Sequence, residues 1–291
     1  MNQNIIDKNK KLKAREPKTR ECGLMAVAGQ QSVGKSYLTM HIIKDYIRDK
    51  IESGVKGRKC LIFDINGEFV SSQWERNGIP NFECKTIAVK DVEAWGFTNS
   101  SECRRIDAKM LSIKEKQKIV EHLVKVYRNG CLVLEDINNY ILSVTFMEDI
   151  VSGLINLRHR AVDVIVSYQS LRAIEPRIFA NARYFRLHKQ ADNVDDVKGK
   201  LPNYTGYKLG QLIVNARFAK GDIRYYLYVT NFGTQLKGDI TKEEFLAATK
   251  TYLSSKRKIL KDCMSENDCS MEEAYQIKGE EYYNEFLSVK K

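Results

Sequence analysis

The sequence predicts an α/β fold: a mostly parallel central sheet flanked by helices, followed by a terminal β-hairpin and a helical C-terminal extension. Three observations predict it. Short apolar runs alternate with stretches of helical period from Leu24 to Lys189, the pattern of parallel strands joined by crossover helices. A glycine-containing loop, "GQQSVGKS", separates the first apolar run from the first helix. From Asp239 onward the character changes to helix only. At 291 residues the chain suits one large domain with appendages or two small ones, with a sizeable core either way.

Residues 1–21 are expected to be a basic, flexible arm. Lys8, Lys10, Lys11, Lys13, Arg15, Lys18 and Arg20 face only Asp7 and Glu16 there, and such a segment buries too little apolar surface to offset its ordering entropy. The ordered part is expected to start with "LMAVA", a short buried strand. "SYLTMHIIKDYIRD" then places Leu38, Ile42, Ile43, Tyr46 and Ile47 on one helix face. "CLIFDI" reads as the second strand and "FECKTIAV" as the third, while an inserted hairpin or loop is expected between Trp95 and Met110.

Ser112 with Glu115 makes a capping box, and the helix it opens is expected to end at Gly130. The strand "CLVLEDI", a helix through about Leu157, the strand "VDVIVSY" and then "RYFRLHK" follow. "QLIVNARF", a turn over Lys220, Gly221 and Asp222, and "IRYYLYV" read as the terminal hairpin. Thr241 with Glu244 and Ser270 with Glu273 are two further capping boxes, each opening an amphipathic stretch. The expected organisation is a basic arm over 1–21, one α/β domain over 22–238 and a helical extension over 239–291.

Charge and composition narrow the function. The formal net charge of +11 suits a polyanionic partner such as nucleic acid. The seven cysteines are scattered with no CxxC pair or Cys/His cluster, so neither a disulfide framework nor a zinc site is expected, and the chain suits a reducing cytosol. The four isolated histidines read as surface or packing residues. The first residues lack the apolar core of a secretory signal, and no stretch approaches the ~18 apolar residues of a membrane span, so stable membrane insertion is not expected.

The loop carries the sharpest signal. Gly29, four residues, then Gly34-Lys35-Ser36, with a strand before and a helix after, is the phosphate-binding pattern of a P-loop NTPase core. Its glycines let successive N–H groups point inward at the positive end of a helix dipole. Gly29, Gln30, Gln31, Ser32, Val33, Gly34, Lys35, Ser36 and Tyr37 are therefore the candidate nucleotide-binding residues, with ATP and Mg²⁺ as the implied occupants. Lys35 would reach the β- and γ-phosphates and the Ser36 hydroxyl would ligate Mg²⁺.

Hydrolysis of this type needs a carboxylate at a neighbouring strand end to hold Mg²⁺ and another to orient water. "CLVLEDI" supplies Glu135 and Asp136. Glu135 is assigned to the magnesium side and Asp136 to water activation, although their order, Glu before Asp, leaves the split open. "DINGEF" places Asp64, Asn66 and Glu68 after the second strand, where strand ends converge on a ligand crevice. Read alone, such a stretch is a turn.

Together, the phosphate loop, "FDINGEF" and "RHRAVDVIVSYQSLRAIEPRIFANARYFRL" resemble the FtsK/HerA superfamily of ring-forming ATPases that move double-stranded DNA, over residues 22–232. The resemblance implies a RecA/FtsK-like core. It also implies that Gln169 is the polar sensor of the γ-phosphate, that Arg158, with Arg160 as the fallback, is offered to the neighbouring subunit's nucleotide, and that Glu68 is the acidic residue of the second-strand motif. Relatives usually place a histidine where this chain has Asn66, which puts a proton-handling role at that position in doubt. The small size, the acidic pair and the lack of a membrane segment resemble the compact genome-packaging ATPases of membrane-containing viruses and phages.

The resulting expectation is an ATP-hydrolysing double-stranded DNA translocase, a hexameric ring in the host cytoplasm or at a virion vertex, with a capsid or portal-vertex protein as a further partner. The alternatives are a HerA-like helicase or translocase of cellular or plasmid origin, and a nucleotide-gated adaptor that binds DNA or capsid without translocating. A small-molecule kinase is weaker, because no acceptor lid is evident.

Overall fold

The structure, a computed structural model, describes residues 22–50, 54–141 and 144–287; the arm expected over 1–21 lies outside them. β1 (Leu24–Ala28) turns through the glycine-containing loop into α1 (Lys35–Tyr46). β2 (Cys60–Asp64), α2 (Ser71–Arg76), β3 (Cys84–Thr86), α3 (Val92–Gly96) and β4 (Cys103–Asp107) follow. Next come α4 (Ile113–Val126), β5 (Gly130–Leu134), α5 (Val144–Asn156), β6 (Val162–Tyr168), α6 (Pro176–Asn181) and β7 (Ala182–Leu187). α7 (Tyr204–Ala219), the hairpin strands β8 (Leu227–Thr230) and β9 (Gln235–Lys237), and helices α8 (Lys242–Ser254), α9 (Arg257–Asn267) and α10 (Met271–Phe286) complete the described chain.

The nine described strands form one sheet in the order β3-β4-β2-β5-β6-β1-β7-β8-β9. β1 to β7 run parallel, and β8 and β9 are antiparallel additions at one edge. This is the α/β fold with a mostly parallel, helix-flanked sheet that the sequence predicts. Alternate residues of each strand feed opposite faces. Ile62, Val133 and Ile165 pack with Met40 and Ile43 of α1 and Trp74 of α2. Phe63, Leu132, Val166 and Phe185 pack on the other face, with residues of α3 to α7.

Several local expectations are corrected. Between Trp95 and Met110 there is no inserted hairpin: α3 ends there and β4 lies parallel between β3 and β2. Its sequence, "CRRID", hides as a strand because the fold takes up its two arginines: Arg104 pairs with Glu102 and lies over the Trp95 ring, and Arg105 pairs with Asp64 and Asp107. The third strand shrinks to Cys84–Thr86. α4 keeps its Ser112–Glu115 capping box but ends at Val126, and Gly130 instead opens β5, where a Cβ would sit 2.4 Å from the Tyr127 hydroxyl and 2.6 Å from the Lys59 carbonyl.

The largest correction concerns "QLIVNARF", which lies inside α7 and not in a strand. α7 is buried on more than one side, against β7 and β8 and against α8, so its apolar residues form a run and not a stripe. The terminal hairpin is instead β8 with β9, joined through Asn231–Gly233. The helical extension contains three helices, and its Thr241 and Ser270 capping boxes form as expected. Phe245, Leu253, Leu260 and Phe286 join the same core cluster as the sheet residues Phe185 and Leu227.

Four cysteines form a row across the sheet: Cys84, Cys103, Cys60 and Cys131 share one register on β3, β4, β2 and β5. All four are buried, and none forms a disulfide. Among the described residues no helix is long and apolar enough to cross a membrane.

Candidate nucleotide-binding site

The site lies at the carboxyl ends of the parallel strands. Gly34 is held at φ 87°, a left-handed conformation that glycine adopts without steric cost. Gly29 is required by packing: a Cβ there would lie 2.8 Å from the Cβ of His188 and 2.9 Å from Val33. The Gly29 N–H donates to the Tyr168 carbonyl at 3.2 Å and the Gln30 N–H to the Lys189 carbonyl at 2.9 Å, which ties the loop to the ends of β6 and β7. Val33 is buried beneath the loop.

The Lys35 ammonium donates to the carbonyls of Gly29 at 2.7 Å and Gln30 at 2.9 Å, so its head is held inside the curl of its own loop. Burial lowers its pKa, and Asp136, Glu68 and Glu135 oppose that shift. Beneath α1, the fully buried Arg186 of β7 donates to the Lys35 carbonyl at 2.9 Å and to the Thr39 hydroxyl at 2.7 Å. His188, next to it, has its pKa pushed well down by burial and by the charges of Arg186 and Lys35.

Glu135 and Asp136 leave the end of β5 side by side and do different things. The Ser36 hydroxyl donates to Glu135 Oε1 at 3.3 Å, while Oε2 is buried with no hydrogen-bond partner. Burial holds this carboxyl well above the usual glutamate range, with Glu68, Asp64 and Asp136 adding to the shift. Asp136 sits at φ 39°, left-handed and unusual for a non-glycine residue. Its N–H donates to the Ser167 hydroxyl of β6 at 2.8 Å, and its carboxylate accepts from Gln169 at 2.5 Å and Asn66 at 3.3 Å.

The acidic stretch after β2 divides its work. Asp64 is fully buried and accepts from the N–H groups of Gly67, Glu68 and Phe69 at 2.7, 3.0 and 3.2 Å, so it builds the turn and does not face the cleft. Asn66 and Glu68 do face it.

These groups line one open cleft of about 830 Å³: Gln31, Ser32, Gly34, Lys35, Ser36 and Tyr37 on one wall, with Glu68, Asp136 and Gln169 facing them. Gly29, Gln30 and Val33 shape the loop from behind.

Arg158 and Arg160 lie elsewhere. Both belong to a 3₁₀ turn, Leu157–Arg160, that precedes β6 and so sits at the amino ends of the strands. Arg158 lines a separate cleft with Leu24, Val162 and Ala182, the first residues of three parallel strands. Arg160 donates to the Val124 carbonyl at 2.8 Å and also to the Lys125 carbonyl, closing the C-terminus of α4. The structure therefore brings the loop residues, Asn66, Glu68, Asp136 and Gln169 to one cleft, joins the buried Glu135 to it through Ser36, and leaves these two arginines outside it.

Three participants had no sequence signal. Ser167 fixes Asp136, Arg186 braces α1, and Arg224 reaches the cleft from the loop before β8. Each meets its partner across a long separation in the chain.

Neither a family model nor a curated protein sequence matches the chain. Among solved structures it is similar to the genome packaging NTPase B204 from Sulfolobus turreted icosahedral virus 2 in complex with AMP, at 14% identity and TM-score 0.46 over 75% of this chain and 96% of that one. It is also similar to B204, the DNA-packaging ATPase from Sulfolobus turreted icosahedral virus, at 13% identity and TM-score 0.48 over 75% of this chain and 97% of that one. A third likeness is to the N-terminal domain of zonular occludens toxin from Neisseria meningitidis, at 12% identity and TM-score 0.31 over 57% of this chain and 76% of that one.

Proposed function

We propose that this chain is a Mg²⁺-dependent ATPase that assembles into a ring and moves double-stranded DNA, the kind of motor that packages a viral genome. The observation that carries the nucleotide part is the meeting of Lys35, Ser36, Asp136 and Gln169 in one cleft at the strand ends, with the buried Glu135 carboxylate 3.3 Å from the Ser36 hydroxyl.

The donor set fits Mg²⁺. Ser36 Oγ beside a buried carboxylate with an unpartnered oxygen is a hard-oxygen site that lacks only positive charge. Ser36 and Glu135 would hold the ion, with Asp136 beside them in the sequence; bound there, Mg²⁺ would supply charge neutralisation for the phosphates. Lys35 binds the same phosphates, and the N–H groups of the loop cradle them. Asp136 orients the attacking water, and Gln169 and Asn66 hold its carboxylate in place. Glu68 adds negative charge on the same wall.

The DNA, ring and partner readings rest on the motifs that resemble the FtsK/HerA superfamily and on the net charge of +11. Arg158 stands at the strand ends opposite its own cleft, so it serves hydrolysis only by reaching a neighbour's nucleotide. That makes assembly part of the activity, and a trans arginine is worth roughly 10³- to 10⁵-fold in turnover. Contacts to the DNA backbone would be sequence-independent and salt-sensitive. A capsid or portal-vertex protein is the further partner of such a motor.

The test is ATP hydrolysis with and without linear and supercoiled duplex, alongside a mass measurement with an ATP analogue and duplex DNA. The wild type should form a ring and show DNA-stimulated hydrolysis, and Lys35→Ala should show none. Negligible stimulation by DNA would point to a nucleotide-gated adaptor. Wild-type turnover by assembled Arg158→Ala would remove the trans-arginine reading.

A further inference from the structure

Arg224 is an exposed arginine on a loop that its neighbours anchor. The residue after it, Tyr225, is buried, donates its hydroxyl to the Asp239 carbonyl at 2.9 Å and lies beneath Arg217. On the other side the chain turns through Gly221 at φ 93°, and the Tyr225 N–H closes onto the Asp222 carbonyl at 3.3 Å. From this anchored loop the Arg224 side chain crosses Gly34, its Cγ 3.3 Å from where a Cβ on that glycine would be. Its guanidinium then lies over the Tyr37 ring, 4.7 Å from the centroid.

Tyr37 is in the first turn of α1, directly after Lys35 and Ser36, and its ring is supported edge-on by His41 at 4.7 Å. A guanidinium resting on an aromatic face keeps its N–H edges available. Among the described residues no carboxylate pairs with Arg224. An arginine with free donors, beside the N-terminal turn of a phosphate loop, is placed to pair with phosphate oxygen.

We propose that Arg224 binds the polyphosphate of the nucleotide within its own subunit, and that Tyr37 is the platform that positions its guanidinium. This deepens the nucleotide reading above and rests on it. Lys35 and Arg224 then both hold the chain of phosphates at the same loop.

The experiment is calorimetric titration of the full-length chain, with Mg²⁺, using a non-hydrolysable ATP analogue and, separately, inorganic tripolyphosphate. Arg224→Ala is expected to weaken both ligands by about tenfold or more, the effect of losing a charged hydrogen bond. Arg224→Lys should recover part of the loss, and Tyr37→Leu should weaken both ligands by a smaller factor. Unchanged melting temperatures for the Arg224 variants show that the fold is retained. Equal binding by Arg224→Ala and wild type overturns the proposal. So does a loss confined to the ATP analogue, since the arginine would then touch the nucleoside and not the phosphates. Wild-type protein that binds neither ligand sinks the nucleotide reading itself, and this inference with it.

Discussion

The side-chain amide of Gln169 donates to the carboxylate of Asp136 at 2.5 Å, linking the end of β6 to the end of β5 at the back of the cleft. Asp136 is also held by Ser167 through its backbone N–H. A carboxylate fixed at a left-handed residue by two neighbours is preorganised to orient water, so little reorganisation is left for the reaction. Gln169→Leu should therefore lower turnover by roughly 10²-fold while changing nucleotide affinity much less. Single-turnover hydrolysis compared with analogue binding separates the two effects.

Glu135 bears on stability as well as chemistry. Burial, with three carboxylates near it, raises its pKa in the folded chain, so the folded state keeps a proton that the unfolded state releases. Its contribution to stability is fully present below the ordinary glutamate value of about 4.3 and is lost as pH rises through the raised folded value. Glu135→Gln should remove that loss, giving a higher melting temperature at neutral pH without nucleotide or Mg²⁺, and should abolish hydrolysis. Melting curves across pH in chelator check the first part. A variant that melts below the wild type at neutral pH would contradict it.

The two arginines of the 3₁₀ turn should part company on mutation. Arg160 satisfies carbonyls at the end of α4, so Arg160→Ala should destabilise the chain by about 1–2 kcal/mol. Arg158 lines an open cleft, and Arg158→Ala should leave the melting temperature unchanged while lowering turnover of the assembled protein. Thermal melts beside hydrolysis rates give both comparisons.

Arg186 supports the phosphate loop from inside the protein. Arg186→Ala would open a cavity below α1 and leave the Thr39 hydroxyl without its buried partner, at a cost of about 2–5 kcal/mol. Denaturant titration reads the loss directly. Nucleotide affinity should fall too, because the Lys35 carbonyl loses a donor.

The cysteine row should be slow to modify. Burial raises the pKa of Cys60 and Cys103 well above the ordinary thiol value, and thiolate is the reactive form. Under native conditions alkylation should reach the half-buried Cys22 and Cys269 first, and Cys60, Cys103 and Cys131 only after denaturation. Time-resolved mass spectrometry with peptide mapping follows the order.

Much of this was legible along the chain because the forces involved act over a few residues. β1, β2, β5 and β6 are apolar runs that parallel sheets bury on both faces, and they appear where the sequence places them. The loop needs glycine for its left-handed turn, and the capping boxes at Ser112, Thr241 and Ser270 close between residues three apart. The carboxylates at the end of β5 and Gln169 at the end of β6 follow from strand polarity alone.

What could not be read depends on segments meeting from far apart. β4 is a strand because β2 and β3 pair with it on either side and Asp64 takes up Arg105, and α7 is covered on more than one side by the sheet and the C-terminal helices. The bonds by which Arg160 closes α4, the support of Asp136 by Ser167, and the seat of Arg224 on Tyr37 belong to the same class. Local propensity and capping leave a periodic trace in the order of residues. Contacts between distant segments gain their energy from packing and desolvation, which exist once the layers have closed and leave no mark on the residues in between.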